Sequence, residues 1–216
     1  MAMYENLAND LPTDAYEPDV DVTTESIKGV DGNDFSLHIY KPALATGPLP
    51  CVVYFHGGGP TIISTSNKVH NRCEQIAGIY ATVPYISNGY AWPEDRKRKE
   101  LSSILENDGY WIPMAAMATT GYYYGPNDTK NPHAWPYYSR IEDLEGLPPV
   151  RLAMDELDPL RDEGIAFYRK LIAAGVEATA HVNLGMVHAS SMIFRKALPE
   201  VHNAAIADIA AFAKGL

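Results

Sequence analysis

A chain of 216 residues with 46% hydrophobic and 20% charged side chains can bury a full core, fits one domain with room for a lid, and does not have a disordered composition. Its formal net charge of −10 argues against nucleic acid and anionic membranes, whose binding surfaces need concentrated Lys and Arg. Two cysteines, Cys51 and Cys73, make no disulfide framework, the first residues Met-Ala-Met-Tyr-Glu-Asn carry no leader pattern, and no apolar run is long enough for a membrane span. A reducing, cytoplasmic setting is the expectation.

In chain order, residues 1 to about 25 are acidic and dotted with proline and read as an arm or part of a lid. Asp31-Gly32-Asn33-Asp34 reads as a hairpin turn between strands 26–30 and 35–40, an antiparallel edge pair. Residues 51–55, Cys-Val-Val-Tyr-Phe, form an apolar run without helical period, which predicts a strand buried on both faces. His56 and Gly57-Gly58-Gly59 follow at once. Three residues without a β-carbon leave backbone N–H groups able to turn toward a bound atom, the donor cluster an acyl-transfer enzyme uses to hold an oxyanion. A glycine-rich turn without chemistry is the competing reading.

Residues 67–77 have helical spacing (Val69, Cys73, Ile76, Ala77), with Gly78 where a helix would stop. Residues 79–86 read as a strand. The aromatic and charged segment that follows predicts helices near 96–105 and 114–120 and, over 88–138, an adaptable lid above an apolar pocket; ordinary core fits its spacing equally well. Arg96-Lys97-Arg98-Lys99, flanked by Glu94, Asp95 and Glu100, reads as a solvated helix face. Then come a strand at 149–154, an amphipathic helix at 162–174 ended by Gly175, a strand at 177–184 and a closing helix at 199–214. Strands alternating with helices mean an α/β fold with its reactive groups at strand carboxyl ends.

Three of those ends carry capable groups: His56 with the glycines, Asp158 within Leu157-Asp-Pro-Leu-Arg-Asp-Glu-Gly164, and His188 within Gly185-Met-Val-His188. An Asp followed 30 positions later by a His, each just past a strand, is the order in which a carboxylate orients an imidazole as general base in α/β-hydrolases. Alone, Asp158 reads as a helix cap and His188 as a hydrogen-bonded loop histidine; in this order behind the glycines they favour a hydrolase. His70-x-x-Cys73 lacks a second pair at metal spacing, and no phosphate-binding glycine loop opens a helix, so no metal or cofactor is expected.

His56-Gly-Gly-Gly59, Asp158-Pro-Leu-Arg-Asp-Glu-Gly164 and Gly185-Met-Val-His188 resemble the hormone-sensitive lipase family of α/β-hydrolases. Val83-Pro-Tyr-Ile-Ser87, Tyr90-Ala-Trp92, Leu105-Glu-Asn-Asp-Gly-Tyr110 and Ala134-Trp-Pro-Tyr137 are more narrowly similar to its brefeldin A esterase-like carboxylesterases. The resemblance implies a mostly parallel sheet with flanking helices, a lid built partly from the N-terminal arm, and hydrolysis of small carboxylic esters without a cofactor. It assigns oxyanion N–H groups to Gly58 and Gly59, the orienting carboxylate to Asp158 and the base to His188.

One departure is severe. The family carries its nucleophile in a Gly-x-Ser-x-Gly elbow between the His-Gly-Gly-Gly strand and the Val-Pro-Tyr-Ile-Ser strand, and no serine of this chain has glycines at both minus two and plus two. Ser87 comes nearest, with Gly89 after it but Tyr85 before it. Between Gly59 and Gly78 there is room for one helix, so two central strands, their helices and the elbow are missing, with the junction near residues 75–78. Loss of the nucleophile costs a serine hydrolase on the order of 10⁶-fold in turnover, about 8 kcal/mol of barrier. The sequence therefore leaves three readings: a carboxylesterase by descent that has lost an exon or internal segment and is inactive or crippled; a non-catalytic hydrolase-fold binding protein; and a hydrolase using another group, such as Ser87, Ser190 or His56. Oligomeric state is not legible.

Overall fold

The computed structural model describes residues 19–28, 32, 34–47, 76–124 and 130–216. The strand expected at 51–55, His56, Gly58, Gly59, His70, Cys73, the first 18 residues and the body of the helix expected at 67–77 lie outside the described residues. Two compact units divide between Val53 and Tyr54.

The first is an antiparallel hairpin of β1 (Val20–Lys28) and β2 (Asp34–Pro42), in register from Val20 opposite Pro42 to Lys28 opposite Asp34. The expected antiparallel pair is present, but β1 begins six residues earlier than the sequence predicts. The β-branched run Val20, Val22, Thr23 and Thr24 suits a pleated ladder, and the Ala43 N–H donating to Asp19 O at 2.7 Å extends the pairing past its end. At the turn, Lys28 Nζ donates to Asp34 at 2.8 Å.

The second unit is built on a parallel sheet, in the order β3 (Ile79–Thr82), β4 (Val150–Asp155), β5 (Ala178–Asn183) among the described residues. Helices α1 (Glu94–Glu100), α2 (Ser103–Glu106) and α3 (Met114–Tyr124) lie between β3 and β4, α4 (Arg161–Ala173) crosses from β4 to β5, and α5 (Ser190–Ile193) and α6 (Pro199–Lys214) follow. The fold is thus α/β with flanking helices, as expected. Leu152 and Met154 of β4 pack with Phe167 and Leu171 of α4, Ile86, Leu144 and Val150; each large side chain so buried contributes about 1.5–3 kcal/mol. A smaller cluster joins Tyr90, Leu101, Ile104 and Leu160, flanked by Tyr85, Trp92, Met114 and Met117. The 88–138 segment therefore packs through this second cluster onto Leu160, just before α4.

Four local expectations are corrected. The strand predicted over 79–86 ends at Thr82: Val83 still donates its N–H to Ala153 O at 2.7 Å, but its φ of +42° turns the chain out of the sheet, and Pro84 has no N–H to continue a ladder. The single helix near 96–105 is two helices, because Leu101 leaves helical geometry to become fully buried and Asp162 accepts the Ser103 N–H at 2.8 Å, restarting the chain as α2. Lys97 is buried rather than solvated, its Nζ 3.2 Å from Met114 Sδ, and burial lowers its pKa. Its neighbours do stay at the surface, Arg96 paired with Glu100 at 3.0 Å and stacked on Trp92, Arg98 paired with Glu94. Residues 76–78 are not helical, and Gly78 is no helix stop: a β-carbon there would lie 2.6 Å from Leu216 and 2.9 Å from Phe212.

Candidate active site

The carboxyl ends of β4 and β5 run on into two loops that remain tied together. Glu156 N–H donates to Asn183 O at 3.0 Å and Leu157 N–H to Met186 O at 2.9 Å, so parallel pairing persists past the sheet. Glu156 Oε2 accepts the Gly185 N–H at 2.6 Å, where Gly185 takes a φ of +72° that a side chain would resist. From across the unit, Asn107 donates to the carbonyls of Glu156 (2.9 Å) and Asp158 (3.0 Å), and Arg161 donates to Glu156 O at 3.1 Å. A buried loop must satisfy its backbone in this way.

On this scaffold Asp158 Oδ2 lies 2.8 Å from His188 Nδ1. Asp158 is 0% exposed, and its other oxygen, Oδ1, accepts the Leu160 N–H at 2.9 Å in a local turn that fixes the carboxylate plane. The carboxylate makes Nδ1 the protonated ring nitrogen and leaves Nε2 as the one able to exchange a proton. His188 sits one residue before Ala189, which adopts the left-handed conformation with φ +56° and ψ 27°.

Two more acids are buried nearby. Asp155 accepts from Asn183 Nδ2 at 2.9 Å and from Ser190 N–H at 3.4 Å, and its pKa is raised, chiefly by burial. Glu163 accepts from Ser87 O–H, from Ile86 N–H at 3.1 Å and from Tyr90 O–H at 3.4 Å; burial pushes its carboxyl well above the usual carboxylate range. The two serines within the Val-Pro-Tyr-Ile-Ser and His-Ala-Ser segments are engaged elsewhere. Ser87 is 0% exposed against Glu163, and Ser190 is 1% exposed with its Oγ donating to Val187 O at 2.6 Å.

A family model described as the alpha/beta hydrolase fold matches residues 79–192. Brefeldin A esterase, described as a bacterial homologue of human hormone sensitive lipase, superposes with a TM-score of 0.88 at 34% identity, over 98% of this chain and 82% of that one. The chain belongs to the hormone-sensitive-lipase-like esterases of the α/β-hydrolase fold. Esterase Est22 shares the fold at 24% identity and a TM-score of 0.79, over 92% of this chain and 82% of that one. Esterase LipI of Mycobacterium tuberculosis is 36% identical over 99 residues, which is 45% of this chain. That match spans 31% of the relative's length.

Of the site residues expected for such an esterase, Asp158 and His188 are brought together, while Gly58 and Gly59 lie outside the described residues. Sequence reasoning passed over Asp155, Glu156, Asn107 and Glu163. A signal existed for three of them: Glu163, Phe167 and Leu171 recur every four residues on the buried face of α4, and Asp155 and Glu156 stand with Asp158 in a cluster of three acids at a strand end. Asn107 carried none, because its partners are backbone carbonyls 49 and 51 residues away. Among the described residues, no helix is long and apolar enough to cross a membrane.

Proposed function

We propose that this chain is a carboxylic-ester hydrolase by descent whose base and orienting carboxylate are intact and whose attacking serine is missing, leaving it inactive or crippled toward small-molecule esters. The observation that carries the reading is the 2.8 Å Asp158–His188 pair at adjacent strand ends, in a sequence without a Gly-x-Ser-x-Gly elbow. Asp158 holds the proton of Nδ1 and stabilises the imidazolium; His188 Nε2 takes a proton from a water that must stand in for the serine; the N–H groups of Gly58 and Gly59 receive the charge developing on the carbonyl oxygen. One oxyanion donor, the N–H of the residue after the nucleophile, goes with the missing elbow, which weakens the site further.

The test is hydrolysis of a short-chain nitrophenyl ester by the mass-verified chain, with circular dichroism to establish folding. A folded chain should turn over on the order of 10⁶-fold more slowly than a serine-bearing relative, and His188→Ala should lower the remaining rate by a further factor of about 10²–10⁴. Relative-like turnover would overturn the missing nucleophile, and a residual rate indifferent to His188→Ala would overturn the base. A second reading, binding without turnover, is favoured by the burial of Ser87 and Ser190, which takes away two of the groups named as substitutes. It requires that a serine-directed fluorophosphonate leave the chain unlabelled.

A further inference from the structure

The loop that carries His188 begins at Asn183 and ends at Ser190, and one carboxylate reaches both ends. Asp155 stands opposite Asn183 in the parallel register of β4 and β5. Its Oδ1 accepts from the Asn183 side chain at 2.9 Å and its Oδ2 from the Ser190 N–H at 3.4 Å. The span between them contains the left-handed Ala189 immediately after the base. A residue with a β-carbon stays in that conformation only when its surroundings over-determine it. Here the Ser190 Oγ and N–H both bind Val187 O, at 2.6 and 3.1 Å, closing the turn from the inside, while Asp155 holds it from the sheet.

We infer that Asp155 is a positioning residue for His188: by spanning Asn183 and Ser190 it locks the turn at Ala189 and so aims the imidazole at Asp158. The inference rests on the proposed role of the Asp158–His188 pair. Asp155 is 2% exposed, so its part is to hold backbone rather than to meet substrate. Its hydrogen bonds, and not its charge, are what the turn needs. An Asn at this position can keep both links, accepting the Ser190 N–H with its oxygen and donating to Asn183 once that amide flips.

The experiment is proton NMR of the full chain, following the hydrogen-bonded imidazole N–H resonance of His188, assigned by its loss in His188→Ala, and the exchange rate of the Ser190 amide. Asp155→Ala should abolish the imidazole resonance and raise the Ser190 exchange rate severalfold, as the amide loses one of its two acceptors and keeps only Val187 O; Asp155→Asn should restore both. Should Asp155→Ala not fold, Asn183→Ala removes one end of the span from a part-exposed site and should weaken the resonance in the same direction. Asp158→Asn separates the two claims. If it leaves the imidazole resonance unchanged, the Asp158–His188 pair itself is refuted. If it abolishes the resonance while folded Asp155→Ala, or Asn183→Ala, leaves both readouts as in the parent, only the positioning role falls. Loss of the resonance in Asp155→Asn as well would overturn positioning in favour of charge.

Discussion

Asp158 and Glu163 are five residues apart on the same turn-to-helix segment, and each is at most 1% exposed, yet their surroundings divide them. Asp158 faces the imidazole of His188, a partner that can become a cation. Glu163 faces a serine hydroxyl, a backbone N–H and a tyrosine hydroxyl, all neutral donors. Burying a carboxylate without a countercharge costs several kcal/mol, and the group answers by keeping its proton. The negative charge of Asp158 adds to that push on Glu163. One acid therefore sits beside the imidazole of the proposed site at the strand ends. The other is a pin that fastens the loop after β3 to the first turn of α4.

Deleting each acid should break the comparison most visibly. Glu163→Ala leaves the Ile86 N–H and the Ser87 O–H without their acceptor in the core and opens a cavity beneath α4, and should cost about 3 kcal/mol or more. Asp158→Asn keeps the acceptor for the Leu160 N–H and should cost about 1 kcal/mol. Urea midpoints at constant m decide this. Equal losses would mean that the pin and the site residue do the same structural work.

The second test is pH. An unfolded Glu titrates near about 4.3, and the folded Glu163 holds its proton to higher pH. Its contribution is thus fully present below the unfolded value and is lost as pH rises through the folded one, at up to about 1.4 kcal/mol per pH unit. Asp155 is shifted in the same direction by burial, so the parent curve alone sums the two. Glu163→Gln cannot ionise and keeps the shape of the neutral acid, so its stability relative to the parent should climb with pH from about 4.3 upward. A difference that stays flat across pH would show that Glu163 is ionised in its pocket.

The contrast also marks what a sequence yields. Helix α6 matches the predicted 199–214, since Pro199 at its first turn and Gly215 after it are local signals; β4 and β5 fall within a residue of prediction because their apolar runs are bounded by Pro149, Gly175 and Gly185. The order Asp158 then His188 is likewise visible in one dimension, each residue lying just past a strand. What was hidden is non-local. The break between α1 and α2 depends on Asp162, the burial of Lys97 on Met114, and the neutral surroundings of Glu163 on residues more than 70 positions upstream. A run such as Arg96-Lys97-Arg98-Lys99 looks solvated by composition, yet an α-helix must point one residue in three or four inward.

The smallest effect sharpens the description of the pin. The Tyr90 hydroxyl is 3.4 Å from Glu163 Oε1, at the far edge of hydrogen-bond distance, whereas Ser87 is in close contact and Ile86 N–H lies at 3.1 Å. The Tyr90 ring has independent support, packed edge-on against Tyr85 with centroids 5.1 Å apart at 76°. Tyr90→Phe keeps that packing and removes only the long hydrogen bond, so it should cost less than about 0.5 kcal/mol, while Ser87→Ala should cost about 1–3 kcal/mol because it strips the buried Glu163 carboxyl of its nearest hydrogen-bond partner. Both are read from urea midpoints at a pH below about 4.3, where Glu163 is neutral in both states. Repeating the pair at neutral pH adds a second reading. If Tyr90→Phe becomes as costly as Ser87→Ala there, the tyrosine donates to an ionised Glu163, and the division between the acid that faces an imidazole and a neutral pin gives way.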